Sequence, residues 1–442
     1  MPNKSYSALG GKEDIMKIRK SLCLLLALVM MIGLVACGGE ADKSGSDAAS
    51  KVKIGVILVG DETEGYTAAH MEGIKKAAAE LGVADSQIIW KYKTPENSSC
   101  ADAATDLIGS GCNLIFSNSY GHQTFMVEAA KEYPDVTFVA MTGDFAAISG
   151  CSNFKNAFTS VYESRYVSGV VAGMKLKELL DNGTLSTSTQ PNSFDADGNV
   201  KIGYVGAFSY AEVVSGYTAF YLGVKSIVPN VVMEVMYTNS WFDIDKEAAA
   251  AEALIANGSV IIGQHADSTG APAATQKRLD NGTICYSVGY NVDMLGTAPT
   301  AALTSATNNW SVYYKHAIEC VMNGKELEAD WSKGYSEGAV GITDLGPSCA
   351  AGTAEKVAEV EAALKNGTLK VFDTDTFTVG GQKVTSAPCD LSFMDWSTMT
   401  AIYKGETVEA IKDGAFAEST FRSAPYFQLR IDGIVEDADP VQ

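Results

Sequence analysis

Apolar runs rich in β-branched residues alternate with amphipathic segments along most of the chain. The runs have the length of strands, and the segments between them carry apolar residues at the i, i+3, i+4 spacing of a helix. In the first part we predict strands at 53–60, 88–92, 113–117 and 137–141 and helices at 67–81, 101–109 and 123–133. Apolar strands that alternate with such helices predict a parallel sheet covered on both faces.

The same pattern occurs twice. "KIGVILVG" (53–60) is matched by "KIGYVGAF" (201–208), and "GYTAA" (65–69) is matched by "GYTAF" (216–220). Three further pairs of segments keep nearly the same separation along the chain. The chain therefore contains two copies of one unit, which predicts an α/β fold of two Rossmann-like lobes with parallel sheets.

The loops after the predicted strands have an unusual composition. They read "GDETEGYT", "SNSYGH" and "MTGD" in the first lobe and "AFSYAEVVSGY", "TNSWFD", "QHADSTG" and "VGYNVD" in the second. Ligands of parallel sheets bind beyond the carboxyl ends of the strands, so these loops are expected to rim one cleft between the lobes. They carry aromatic rings, Asn and Asp with almost no Lys or Arg, which favours a neutral, hydroxyl-rich, ring-bearing ligand such as a nucleoside.

The N-terminus has the pattern of an export signal. A basic stretch, "MKIRK" (16–20), precedes the apolar run "LCLLLALVMMIGLVA" (22–36), which is too short to span a bilayer comfortably. "LVAC" (34–37) resembles a bacterial lipobox, in which Cys37 would be acylated; the alternative is a plain secretion signal. We predict a signal peptide at 1–36 and a flexible, polar tether at 37–51, with the body on the extracytoplasmic face of a bacterial cell membrane.

Charge and cysteine spacing exclude several classes of partner. A formal net charge of −20 argues against a nucleic-acid polymer. No CxxC or Cys/His cluster provides a zinc site, and no metal is predicted. A disulfide between Cys349 and Cys389 is left open.

Enzyme-like strings lack their structural context. "GYSEG" (334–338) spells GxSxG without the preceding strand and following helix, and "FDTDTF" (372–377) reads as a hairpin. No P-loop, dinucleotide fingerprint or HExxH is present, so no cofactor and no enzymatic activity are predicted. A catalytic pair of His265 and Asp267 is the remaining catalytic alternative.

Several ordered motifs resemble the basic membrane protein family. They are "GDETEGYTAAHMEG" (60–73), "DVTFVAMTGD" (135–144), "ESRYVSGVVAGMKL" (163–176), "SVGYNVDM" (287–294) and "LKNGTLKVFDT" (364–374). Members are lipid-anchored substrate-binding proteins of ABC transporters, and several bind purine nucleosides. The resemblance implies a type I periplasmic-binding-protein-like fold with a ligand cleft between the lobes, and a permease and an ATPase as partners of a monomer.

The resemblance also implies ligand-binding residues. Asp61 matches an acid of the first loop, Tyr66 a stacking ring, Asp144 the acid after the fourth strand, and Trp241 or Phe242 the second ring. "HADSTG" matches a Gly-rich loop and brings in His265 and Asp267, and the repeat places Asn118 opposite His265. Asn291 stands where the family has its ribose-binding Asp, with Asp293 two residues on, and Asn308 or Asn309 replaces an expected Lys.

The predicted lobes are not continuous in sequence. The first lobe comprises 52–160, with 295–325 returning to it. The second comprises 161–294, with 326–380 returning to it, and 381–442 forms a C-terminal extension of unassigned place. The predicted function is capture of a nucleoside, most simply a purine nucleoside, for an ABC transporter. The alternatives are a sensor lipoprotein for a nucleobase or another neutral ring-bearing ligand, and a nucleoside or ester hydrolase.

Overall fold

A computed structural model describes residues 48–395 and 400–437. The predicted signal peptide, Cys37 and most of the predicted tether lie outside these residues. The chain divides into two units, 1–50 and 51–442, and the sheets of the described residues all belong to the second unit. Among the helices of the described residues, none combines the length and the apolar character that a membrane crossing needs.

The elements of this unit follow one another as alternating strands and helices. The strands are β1 (Ile54–Ile57), β2 (Ile88–Lys91), β3 (Leu114–Ser117), β4 (Thr137–Met141), β5 (Phe154–Ala157), β6 (Val200–Gly206), β7 (Val231–Tyr237), β8 (Ile261–Gln264), β9 (Tyr286–Tyr290), β10 (Ala302–Asn308), β11 (Asp330–Trp331), β12 (Val340–Ile342), β13 (Thr378–Val379), β14 (Gln382–Lys383), β15 (Pro388–Asp390), β16 (Phe393–Asp395), β17 (Thr400–Tyr403), β18 (Thr407–Glu409), β19 (Ile411–Lys412), β20 (Ala415–Phe416) and β21 (Ile434–Glu436). The helices are α1 (Gly65–Glu80), α2 (Ser99–Gly109), α3 (Gln123–Glu132), α4 (Val161–Asp181), α5 (Ala211–Ile227), α6 (Ile244–Ala256), α7 (Gly270–Asp280), α8 (Ser311–Met322) and α9 (Thr353–Lys365).

Two sheets organise the lobes. The first has the order β11-β5-β4-β3-β1-β2, and its strands all run parallel. The second has the order β12-β10-β9-β8-β6-β7-β21, parallel except for β12, which pairs antiparallel with β10. The predicted α/β fold with parallel sheets is confirmed.

The repeat in sequence is also a repeat in packing. Every residue of β1 is buried, and a Cβ added to Gly55 in that strand would lie 2.8 Å from a methyl carbon of Leu107. At the matched place in β6, a Cβ on Gly203 would lie 2.9 Å from the Cβ of Leu254. Glycine at these two positions lets α2 and α6 approach their strands equally closely.

The crossovers between the lobes differ from the predicted boundaries. Residues 302–308, expected in the first lobe, form β10 and pair with β9 in the second sheet. The chain returns to the first lobe only afterwards, where α8 packs against α1 and β11 pairs with β5. The difference has a physical cause: "ALTSATN" is almost wholly buried, and it adds a strand to the second sheet beside β9 before the chain returns to the first lobe.

The C-terminal residues are folded against both lobes. Phe393 belongs to the apolar core of the first lobe, whereas Phe416 and Phe427 belong to that of the second. Most strands of this part pair in two-stranded sheets, and β21 extends the second sheet beside β7. Cys349 and Cys389 are both free thiols, so the disulfide that the sequence left open is absent from the structure.

Candidate ligand-binding site

A cavity of about 390 Å³ lies where the carboxyl ends of the two sets of parallel strands meet. The residues around it follow β1, β3, β4 and β5 in the first lobe and β6 to β10 in the second. Side chains of the C-terminal part complete its wall. The lining includes Glu64, Tyr66, Asn118, Tyr120 and Asp144 from the first lobe, Glu212, Trp241, His265, Asp267 and Tyr290 from the second, and Arg422, Pro425 and Gln428 from the C-terminal part.

On the first-lobe side, Tyr66 and Asn118 form one hydrogen-bonded group. The Tyr66 hydroxyl donates to the backbone carbonyl of Asn118. The Asn118 side chain accepts from the Val59 amide at 2.8 Å and donates to the Thr67 hydroxyl at 3.2 Å. These bonds join the loops after β1 and β3 and hold the Tyr66 ring at the cavity wall.

Asp144 is the acid that follows β4, and it is nearly buried. It accepts from the Gln123 amide at 3.1 Å and the Tyr120 hydroxyl at 3.2 Å. The guanidinium of Arg422 lies 3.4 Å from its second oxygen. Burial raises the pKa of Asp144, and the nearby Arg422 charge opposes that rise without cancelling it.

On the second-lobe side, His265 sits in a buried charged network. Its Nε2 lies 2.7 Å from Glu212, and its Nδ1 lies 3.3 Å from Arg165. Burial lowers the pKa of His265, which favours the neutral ring. Because the Arg165 guanidinium can only donate, Nδ1 of His265 accepts from it, and Nε2 carries the ring proton and donates it in the hydrogen bond to Glu212.

Arg165 fixes this network from behind. It comes from α4, donates to the Gln264 carbonyl at 2.6 Å, and stacks over the Tyr290 ring at 3.5 Å. It is only 2% exposed. The strand-end loops contain almost no Arg or Lys, but two arginines from other parts of the chain contribute to the site. Arg165 contacts His265 of the cavity wall, and Arg422 lines the cavity.

Asn291 does not line the cavity but supports a residue that does. Its side chain donates to Asp267 at 2.6 Å and accepts from Asn308 at 3.3 Å. Burial raises the pKa of Asp267 well above its usual range. Asn291 (φ 64°) and the cavity residue Thr142 (φ 61°) both have left-handed backbones, a costly conformation that clusters at functional sites.

Two predicted acids lie elsewhere. Asp61 forms an ion pair with Lys93 at 2.6 Å and accepts from the Thr63 amide; its pKa falls to about 2, chiefly because of the hydrogen bond to Lys93. Asp293 is exposed and accepts from the Leu295 amide at 2.8 Å. Neither lines the cavity, because both carboxylates are engaged in local turns. The structure therefore does not bring these two predicted site residues to the cavity wall.

The structure places two other acids at the cavity wall. Glu64 accepts a hydrogen bond from the Thr67 hydroxyl, and burial raises its pKa. Glu212 holds His265. Glu64 precedes α1 and Glu212 lies in the first turn of α5, the helices that follow the first strand of each repeat. The matched loops "GDETEGYT" and "AFSYAEVV" are therefore the sequence signal for both acids.

Neither catalytic alternative has its side chains in a catalytic arrangement within the described residues. Ser336 is exposed in a 3₁₀ turn (Tyr335–Glu337), where it bonds its neighbour Glu337, and it lies outside the cavity lining. His265 bonds Glu212 rather than Asp267. Among the described residues, no group of three or more His, Cys, Asp or Glu is arranged to hold a metal ion.

Comparisons with known proteins give the family. Residues 51–375 match the family model Bmp, the ABC transporter substrate-binding protein PnrA-like family. A purine-binding protein of Brucella abortus is 32% identical over 348 residues, which cover 78% of this chain and 89% of that protein. A putative ABC transporter glucose-binding protein of Haloferax volcanii is 30% identical and covers 60% of each chain.

Solved structures agree on the fold. A solute-binding protein of an ABC transporter system from Conexibacter woesei superposes with a TM-score of 0.57 at 18% identity and covers 72% of this chain and 98% of that one. A second solute-binding protein of this kind, from Aeropyrum pernix, superposes with a TM-score of 0.57 at 17% identity and covers 73% of this chain and 93% of that one. The family and these neighbours are solute-binding proteins rather than enzymes. The resemblance seen in the sequence motifs is confirmed, and the chain belongs to the PnrA-like family of ABC transporter substrate-binding proteins.

Proposed function

We propose that this protein binds a purine nucleoside between its two lobes and delivers it to the permease of an ABC transporter, from a membrane to which an acylated Cys37 anchors it. The observation that carries the proposal is the cavity wall, which combines rings and hydrogen-bond acceptors from both lobes. Tyr66 belongs to the first lobe and Trp241 to the second. Two such rings suit a flat heterocycle, since a base stacked on an aromatic side chain gains ~1–3 kcal/mol.

The polar groups of the wall favour ligand hydroxyl and N–H groups. Glu64, Glu212 and Asp267 supply carboxyl oxygens, which match the hydroxyl donors of a ribose. A volume of about 390 Å³ falls within the range of small-molecule sites. A ligand with several negative charges would meet these acids unfavourably.

The relatives support this ligand class. The purine-binding relative from Brucella abortus agrees with a base between rings, and the putative glucose-binding relative from Haloferax volcanii agrees with a hydroxyl-rich partner. A purine nucleoside carries both features. Ligand contacts from both lobes stabilise a closed state more than an open one, and this difference drives closure and presentation to the permease.

One purification tests both parts of the proposal. The full-length chain is extracted from the membrane fraction of an expressing bacterium, and mass spectrometry identifies the small molecule it carries and the mass at Cys37. We expect a purine nucleoside, confirmed by calorimetry with the stripped protein, and a diacylated or triacylated Cys37. A sugar or an amino acid in the cavity, with no heat from any purine nucleoside, would reject the ligand; an unmodified Cys37 would reject the anchor.

A further inference from the structure

The C-terminal segment, defined here as residues 381–395 and 400–437, lies beyond the family match, which ends at residue 375. Phe393 of this segment packs on Phe145 of the first lobe with ring centroids 4.4 Å apart. Phe427 stacks on Phe372 in the second-lobe core at 4.3 Å. The segment therefore spans both lobes beside the cleft.

The part of the segment that reaches the cavity is held by buried carboxylates. Glu418, 4% exposed, accepts from the backbone amides of Tyr426 at 2.7 Å and Phe427 at 3.0 Å. Asp330 of the first lobe accepts from the Ser423 amide at 2.8 Å. Carboxylates that accept backbone N–H groups fix a loop firmly, so the neighbouring Arg422 has a built position.

Arg422 is a largely enclosed guanidinium with few polar partners. Its side chain is 12% exposed, lies 3.4 Å from Asp144, and donates to the Pro425 carbonyl at 3.5 Å. Its Nε is buried and has no partner among the residues that the structure describes. A guanidinium has five donors, and leaving buried donors unsatisfied is costly. The Nη atoms contact Asp144 and the Pro425 carbonyl, and because Arg422 lines the cavity, a ligand can accept from their remaining N–H groups.

We propose that Arg422 is a specificity-determining residue, which donates to the acceptor edge of a 6-oxopurine while the adjacent Asp144 accepts from the N–H groups of the same base. The inference rests on the proposed function and names its substrate class. Guanine offers O6 and N7 side by side, which suits the arginine fork, and N1–H with its 2-amino group suits a carboxylate. Adenine carries an amino group at C6, so in the same orientation this hydrogen-bond donor would face the N–H donors of Arg422.

The first test changes the ligand and leaves the protein intact. Calorimetry of the full-length chain compares guanosine, 7-deazaguanosine and adenosine. We expect 7-deazaguanosine, which lacks the N7 acceptor, to bind about tenfold or more weakly than guanosine, and adenosine to bind more weakly still. Equal affinities for guanosine and 7-deazaguanosine would overturn the contact, and adenosine binding as tightly as guanosine would overturn the selectivity.

The second test uses Arg422→Gln and Arg422→Lys, with Arg278→Gln as the matched control. Arg278 also pairs with a carboxylate, Glu252, but does not line the cavity. We expect Arg422→Gln to lower guanosine affinity by about 10- to 100-fold, to change adenosine affinity less than threefold, and to abolish the difference between guanosine and 7-deazaguanosine. Arg422→Lys, which keeps the charge and loses the fork, is expected to lose most of the same preference.

The outcomes separate the two proposals. A uniform loss for all three nucleosides would show that Arg422 only supports the loop and would overturn its role in selectivity, while leaving the proposed function standing. Wild-type protein that binds no purine nucleoside would reject the proposed function and this inference together.

Discussion

Matched positions in the two lobes can be compared directly, because the second lobe repeats the first. Gly55 against Leu107 and Gly203 against Leu254 make the same close strand-to-helix approach. The residues after the third strand of each repeat differ: Asn118 in the first lobe satisfies its side chain with a backbone amide and a hydroxyl. In the second lobe the counterpart is His265, which lies between the Glu212 carboxylate and the Arg165 guanidinium.

A second matched pair shows the same contrast beneath these loops. Cys100 in α2 and Glu247 in α6 are both fully buried. The Cys100 thiol lies 3.8 Å from the His122 carbonyl, whereas the Glu247 carboxyl accepts from the Ser268 amide at 3.1 Å. The repeat therefore preserves backbone packing, while the polar groups at these two matched positions have diverged: an amide and a thiol in the first lobe, an imidazole and a carboxyl in the second.

The largest expected effect is from removing the charge behind the second-lobe loop. Arg165→Met should lower the free energy of unfolding by about 2–5 kcal/mol, because the buried Gln264 carbonyl and the Nδ1 atom of His265 both lose their hydrogen-bond donor. Urea denaturation of the full-length chain measures this loss. Arg278→Met, at a partly exposed ion pair, is the control and should change stability by less than about 1 kcal/mol.

Asn118→Ala sharpens the comparison from the first lobe. It leaves the Val59 amide without its acceptor, which should reduce the free energy of unfolding by about 1–3 kcal/mol. If Asn118→Ala were as damaging as Arg165→Met in the same urea titration, the idea that the two loops are held by different chemistry would be wrong.

The rings allow the lobes to be compared in binding rather than in stability. Tyr66→Ala and Trp241→Ala should each weaken nucleoside binding by ~1–3 kcal/mol, measured by calorimetry, if the base stacks between the lobes. Tyr92 and Phe242 are exposed, do not line the cavity, and provide the matched Tyr→Ala and Phe→Ala controls. An effect confined to one lobe would mean that the base rests on a single ring.

How much of this could be predicted depends on the residue. The repeat predicted both sheets, and Tyr66, Asn118, Asp144, Trp241, His265 and Asp267, all expected from the sequence, lie at the cavity wall. Asp61 and Asp293 do not, because an aspartate after a strand can cap a turn as readily as face a ligand. Asp243 is another example, since it caps α6 by accepting from the Lys246 amide at 3.0 Å.

Arg165 and Arg422 were not predicted as site residues for a different reason. Arg165 lies inside "ESRYVSGVVAGMKL", which carries part of the family resemblance, but its apolar neighbours in sequence give no reason to expect a side chain that contacts a residue of the cavity wall. Arg422 follows the last segment that the repeat or the family resemblance covers. Long-range contacts such as Arg422 with Asp144 depend on how the chain returns to the cleft, which local patterns do not encode.

The pH dependence of stability also separates the lobes, at Cys100 and Glu247. Burial raises the pKa of Glu247 from 4.5 to about 7, so between these values the folded protein binds more protons than the unfolded chain. Stability from this group is present at low pH and is lost as pH rises towards 7, with a slope of at most about 1.4 kcal/mol per pH unit. Glu247→Gln should flatten the stability profile between pH 5 and 7 in urea titrations.

Cys100→Ala provides the first-lobe counterpart of that measurement. Burial raises the pKa of the Cys100 thiol to about 12, so the thiol stays protonated throughout this pH range in both states. Its removal should shift the whole profile by a constant amount and leave the slope unchanged. A changed slope in Cys100→Ala, or an unchanged slope in Glu247→Gln, would show that Glu247 is not the source of the difference in pH dependence. The contrast between the matched thiol and carboxyl would then be wrong.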